Sequence, residues 1–175
     1  MIAGGALGKV LLDKYSYSKE EADWNEFYQV SESDRSAIIL QDEMVEEQAL
    51  IRDDVCYFDL ATVHKYMNEV FYADMTEKLL LYANPTEVIR TTFGETSYTT
   101  TEGTQDAGYV ISFVEGDTVY VAADYVKLFT NYSYDCYDRH VQVYTEWGTR
   151  QVAQLKKDTA VRLRGGVKSP ILTQA

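Results

Sequence analysis

Hydrolysis of a glycosidic bond requires two carboxylates held at a defined separation, and the nearest acidic pair in this chain is Asp53-Asp54. Adjacent residues in a turn point apart, so Ile51-Arg52-Asp53-Asp54-Val55 reads as a hairpin with solvated carboxylates. A strand-end Asp-x-x-Asp-x-Asp-x-Glu pattern is absent. A transition-metal site needs converging His, Cys or carboxylate ligands, but His64 and His140, the only histidines, have no partner at ligand spacing. Cys56 aligns with Val119 in a core position, which suits a small apolar side chain better than a nucleophile. The stretch Gly103 to Gly108 lacks the spacing and the following Lys-Ser/Thr of a phosphate-binding loop. No catalytic, cofactor-binding or metal-binding residue emerges. What does exceed expectation is tyrosine, with 15 residues. Tyr132, Tyr134 and Tyr137 form the candidate ligand or partner surface, with Tyr15, Tyr17 and Tyr28 near the start. Tyrosine serves sugar stacking and protein interfaces, or simply covers the outer faces of strands.

The charge balance limits the partners. With 28 acidic against 16 basic side chains the net charge is −12, which repels nucleic-acid phosphates and anionic headgroups. Nucleic acid is not an expected partner. A hydrophobic content of 46% and 13% aromatics set the chain apart from disordered sequences. Cys56 and Cys136 share no CxxC or Cys/His cluster and read as buried free thiols ahead of a disulfide, which leaves the redox compartment open.

The elements that would position these residues show an internal likeness. Ser18-Lys19-Glu20-Glu21 has capping-box spacing before a short helix, and Ala37-Ile38-Ile39-Leu40 reads as a strand followed by an acidic connection, Gln41 to Glu47. Residues 51–68 then superimpose on 114–131 at a constant offset of 63, so that Asp54 meets Asp117, Tyr57 meets Tyr120, Val63 meets Val126 and Asn68 meets Asn131. Each copy reads as a hairpin turning at Asp53-Asp54 or Gly116-Asp117, then a short helix closed by an Asn in the left-handed conformation. A returning hairpin follows. Leu79-Leu80-Leu81-Tyr82 aligns with Val141-Gln142-Val143-Tyr144 at offset 62, which places a one-residue deletion in the second copy's turn. Glu87 to Phe93 and Tyr98 to Thr101 read as further strands, and Glu102 to Gly108 as a loop. The expected fold is α+β, with two repeated antiparallel hairpin-helix-hairpin units, a short N-terminal helix and a β-rich C-terminal segment.

The expected organisation is a linker over 1–17, a helix and turn over 18–36, repeats over 37–96 and 97–148, and a β module opening at 149–175. Met1 to Leu12 is apolar but shorter than the roughly 20 residues that span a bilayer. It reads either as the remnant of a membrane helix or as a leader-derived tail. From Gly148 the chain turns basic, and Val161-Arg162-Leu163-Arg164-Gly165 alternates as a strand before a glycine turn.

Over Ala37–Asn84 and Ser97–Trp147 this pattern resembles the bacterial copper amine oxidase-like N-terminal domain. Tyr57-Phe58-Asp59-Leu60 and Tyr120-Val121-Ala122-Ala123 stand where that family has Val-Pro-Leu-Arg, and Asn replaces its Gly after the helix. The resemblance implies neither copper nor oxidation, because in the oxidases both reside in another domain. The tail from Val152 is similar to the opening of a bacterial SH3-like domain. An anchor, two repeats and an SH3-like module in this order resemble the N-terminal portion of membrane-anchored Gram-positive envelope proteins that end in a family 18 glycoside hydrolase domain, here beyond Ala175. The implied role is a non-catalytic extracellular accessory module at the cell envelope, without cofactor, whose partners are cell-wall glycan or an envelope protein. The alternative is a protein-interaction or oligomerisation module.

Overall fold

The computed structural model describes residues 16–147 and 154–174; the expected anchor remnant, Met1 to Leu12, lies outside them. In chain order the described elements are α1 (Trp24–Tyr28), β1 (Arg35–Leu40), β2 (Glu43–Arg52), β3 (Val55–Asp59), α2 (Leu60–Tyr66), β4 (Phe71–Asp74), β5 (Leu79–Ala83), β6 (Val88–Thr92), β7 (Ser97–Thr100), β8 (Gly103–Asp106), β9 (Ser112–Glu115), β10 (Thr118–Ala122), α3 (Ala123–Lys127), β11 (Ser133–Cys136), β12 (His140–Tyr144), β13 (Ala160–Arg162) and β14 (Ile171–Gln174). The chain divides into two compact units, one from residues 28–148 and one from 1–27 with 149–175.

The α+β expectation is overturned. Strands hold 45% of the described residues and helices 11%. Helices of five and seven residues are too short to form a layer, and strands from both halves of the chain enter one curled, mixed sheet instead of two repeated units. Its order is β11-β12-β1-β2-β3-β10-β9. All its pairings are antiparallel except β1 with β12, which run parallel with Ala37 opposite His140. A second sheet, β4-β5-β6-β7-β8, is built of sequential neighbours.

Local chemistry explains the hairpins. Asp53 and Asp54 have φ of 52° and 62°, the positive values that a two-residue turn needs to match strand twist, and the turn closes Arg52 against Val55. Gly116, φ 61°, starts the corresponding turn between β9 and β10. The two hairpins pair in equivalent registers: Leu50, Ile51 and Arg52 face Tyr57, Cys56 and Val55, while Phe113, Val114 and Glu115 face Tyr120, Val119 and Thr118. Phe58 pairs directly with Val121 where β3 meets β10. These two central strands are buried on both faces, Tyr57 and Tyr120 included, where alternation predicts one buried face.

Other expectations also shift. The Asp74–Leu79 and Cys136–Val141 pairs enclose turns of equal length, so the change of offset lies between helix and strand, not in the second turn. Neither Asn68 nor Asn131 is left-handed. Asn68 works through its side chain, which donates to the Phe129 carbonyl at 3.3 Å and Thr130 Oγ1 at 2.9 Å and accepts from the Val70 amide at 3.0 Å. Asp23, not Ser18, caps α1, accepting from the amides of Asn25 and Glu26. The acidic stretch Glu43 to Glu47 continues β2 in place of a connection, and Gly103 to Asp106 forms strand β8 in place of a loop.

The seven-stranded sheet folds back on itself. Four strand spacings separate β3 from β11, about 19 Å if the sheet were flat, yet the rings of Phe58 and Tyr134 lie 6.4 Å apart. Arg35 of β1 likewise reaches across to donate to Tyr120 Oη at 2.7 Å and to pair with Glu115 of β9 at 3.4 Å. Within the curl lies one core cluster containing Phe58, Leu50, Val121, Val126 and Val141, joined by Phe71 and Leu80 from the five-stranded sheet.

In the smaller unit, β13 pairs with β14. Glu20 accepts from the Ile171 amide and Ala22 donates to the Ile171 carbonyl, both at 2.8 Å, while Arg162 bonds the carbonyls of Ser18 and Ser169.

Candidate binding surface

Of the three candidate tyrosines, the structure brings two together and sets the third apart. Tyr132 is 3% exposed, and its hydroxyl donates to the Ala123 carbonyl. It is a core residue whose ring stacks on Tyr134 at 6.1 Å. Tyr134 is half-buried, with its hydroxyl pushed well above the ordinary tyrosine range by burial and by the negative charge of the nearby Asp124 carboxylate. The Lys127 ammonium lies over the Tyr134 ring, 5.8 Å from its centroid. Tyr137 is 55% exposed and stacks on His140 at 4.6 Å.

His140 is thus clamped between rings, since Tyr28 stacks on it at 4.9 Å. Burial lowers its pKa below the ordinary histidine value of about 6.5. A depressed folded-state pKa gives stability that is complete above the unfolded value and is lost as pH falls through the folded one. The melting temperature is therefore expected to fall by a few degrees as pH drops below about 6.5, and His140→Phe should flatten that part of the profile. An identical slope in the variant would assign the dependence to other groups.

The remaining sequence candidates have local roles. His64 places Nε2 2.7 Å from the Phe71 carbonyl, which fixes the end of α2 on β4. Asp53 and Asp54 are exposed turn residues. Cys56 is buried and Cys136 exposed, both as free thiols. Among the described residues, no group of three or more His, Cys, Asp or Glu is placed to hold a metal ion.

The surface that sequence reasoning missed is the outer face of the five-stranded sheet. Its inner face carries Phe71, Leu80, Ile89 and Thr91 into the interior, so strand alternation turns Tyr72, Leu81, Arg90 and Thr99 outward. Register sets these four in one row, Tyr72 opposite Leu81, Leu81 opposite Arg90, and Arg90 opposite Thr99. Tyr72 is 60% exposed and Arg90 is exposed. The two lie two strand spacings apart, about 10 Å. Beside Arg90 a shallow depression opens between β6 and β7, lined by Leu79, Thr92, Glu95, Ser97 and Thr99. An aromatic face, a guanidinium and several hydroxyls on one open sheet can bind an extended polar chain by stacking and hydrogen bonding.

No protein-family model, curated protein or solved structure matches the chain. Among the described residues no helix is long and apolar enough to cross a membrane.

Proposed function

We propose that residues 28–148 form a non-catalytic accessory module of the cell envelope that binds cell-wall glycan on the open face of the five-stranded sheet. The observation that carries this reading is the row Tyr72–Leu81–Arg90–Thr99, in which an exposed ring and an exposed cation flank the half-buried Leu81, with a hydroxyl beyond, on one face of the sheet. A pyranose ring stacks on Tyr72, and its neighbour along the glycan meets Arg90, which donates to hydroxyl or carboxylate oxygens. Such a surface positions whatever is attached to it and needs no acid–base pair of its own.

Insoluble peptidoglycan and chitin test the proposal by co-sedimentation. The chain is expected to be retained on one of them, and Tyr72→Ala with Arg90→Ala should weaken retention on the order of tenfold per residue, which corresponds to about 1.4 kcal/mol each. Both side chains are exposed, so the melting temperature should hardly move. A folded wild-type chain that remains in the supernatant with both polymers would rule out the glycan. Concentration-dependent dimers lost in Tyr72→Ala would point to pairing of the β4 edge with a second copy, the interaction-module alternative.

A further inference from the structure

Cys56 and Cys136, the two cysteines of the chain, sit on β3 and on the edge strand β11. Side chains two apart share a face of a strand, so Cys56 accompanies Phe58, and Cys136 accompanies Tyr134. The edge-on contact of Phe58 with Tyr134, 6.4 Å between centroids, shows that these two faces oppose each other across the curl. One step of two residues along each strand from that contact brings Cys56 opposite Cys136. Each thiol is the neighbour that most affects the acidity of the other.

The two sulfurs differ in access and acidity. Cys56 is 3% exposed, whereas Cys136 is open to solvent. The neighbouring Cys56 thiol holds the Cys136 thiol below the ordinary thiol range. Cys136 in turn, together with burial, pushes the Cys56 thiol up. One accessible, more acidic sulfur beside one shielded sulfur is the arrangement in which the first attacks an external disulfide and the second resolves the product.

We propose that Cys136 and Cys56 are an oxidisable pair in the folded protein, with Cys136 as the attacking thiolate and Cys56 as the resolving thiol. The oxidant is a low-molecular-weight disulfide. Cys136 Sγ attacks one of its sulfurs, forming a mixed disulfide and expelling one thiolate. Cys56 then gives up its proton, and its sulfur attacks Cys136 Sγ, forming the Cys56–Cys136 bond and expelling the second thiolate. Two protein thiols are oxidised and one external disulfide is reduced to two thiols. The bond fastens the edge strand β11 to the centre of the sheet and restricts the unfolded chain across the long segment between the two residues.

The full reduced chain, folded, is exposed to oxidised glutathione and analysed by intact mass, peptide mapping and thermal melting. The expected result is a loss of two hydrogens, a cross-linked pair of peptides containing Cys56 and Cys136, and a rise in melting temperature on the order of 10 °C that dithiothreitol reverses. Cys56→Ala should retain one glutathione on Cys136, and Cys136→Ser should take up none while folded. Glutathione left stably on Cys136 of the wild-type chain, covalent dimers through Cys136, or two thiols still free after the exposure would each overturn the proposal. These wild-type outcomes decide the question even if Cys56→Ala fails to fold.

Discussion

Phe58→Ala is expected to lower the unfolding free energy of residues 28–148 by about 3–5 kcal/mol, the usual cost of emptying a fully buried aromatic site. Phe58 has no exposed surface, pairs directly with Val121 where β3 meets β10, and sets its ring against Tyr134 of β11. The cavity would therefore open where the sheet folds onto itself, and central strands cannot relax inward without breaking register. Domains are commonly stable by only 5–15 kcal/mol, so a large share of the total is at stake. Chemical denaturation should show an earlier midpoint with an unchanged slope. A loss below about 1 kcal/mol would mean that the Phe58 site collapses freely, contrary to a closed curl.

Leu80→Ala is expected to cost about 2–5 kcal/mol and, more tellingly, to shift the same single transition as Phe58→Ala. Leu80 has no exposed surface and points from the five-stranded sheet into the core that also contains Phe58. Aromatic contacts join the five-stranded sheet to α3 and the residues just after it: Tyr82 stacks on Phe129 at 4.4 Å, Phe71 lies 6.2 Å from Tyr125, and Tyr98 meets Tyr125 edge-on at 5.3 Å. A shared core melts as one unit. A second transition in Leu80→Ala, with the near-ultraviolet signal of the remaining sheet retained, would show instead that the two sheets unfold separately.

What the sequence made legible was decided within a few residues. Asp53-Asp54 and Gly116-Asp117 announce their turns because the conformations these need depend on the residues themselves. The short helix after β3 was legible too, and the structure shows its start fixed locally, where the Asp59 carboxylate accepts from the Thr62 amide at 2.6 Å. The α+β reading failed where distant partners decide. Glu43 to Glu47 carries a connection's composition, yet β1 lies alongside to pair with it and the charged side chains reach solvent from the strand. Gly103 to Asp106 is a strand because β7 supplies its ladder. The candidate tyrosines separated for the same reason: the sequence neighbours of Tyr132 give no sign of the Ala123 carbonyl that holds its hydroxyl in the core. The row from Tyr72 to Thr99 left no apolar–polar alternation to read, since β5 is Leu79-Leu80-Leu81-Tyr82-Ala83 and β6 is Val88-Ile89-Arg90-Thr91-Thr92. Which face is outward depends on the core those strands cover.

The parallel pairing of β1 with β12 imposes an order on how the protein comes into being. His140 stands 103 positions after its partner Ala37, so at synthesis rates of about 5–20 residues per second β1 waits on the order of 5–20 s for the strand that completes it. During that interval its hairpin with β2 can form, since the two strands are adjacent in the chain, but the opposite edge of β1, with Ala37, Ile38 and Ile39, faces no partner. Sequence-distant pairings are the slow step of folding, and an unpaired apolar edge is where nascent chains meet one another. Yield of soluble protein should therefore be governed by how long that edge stays open during translation.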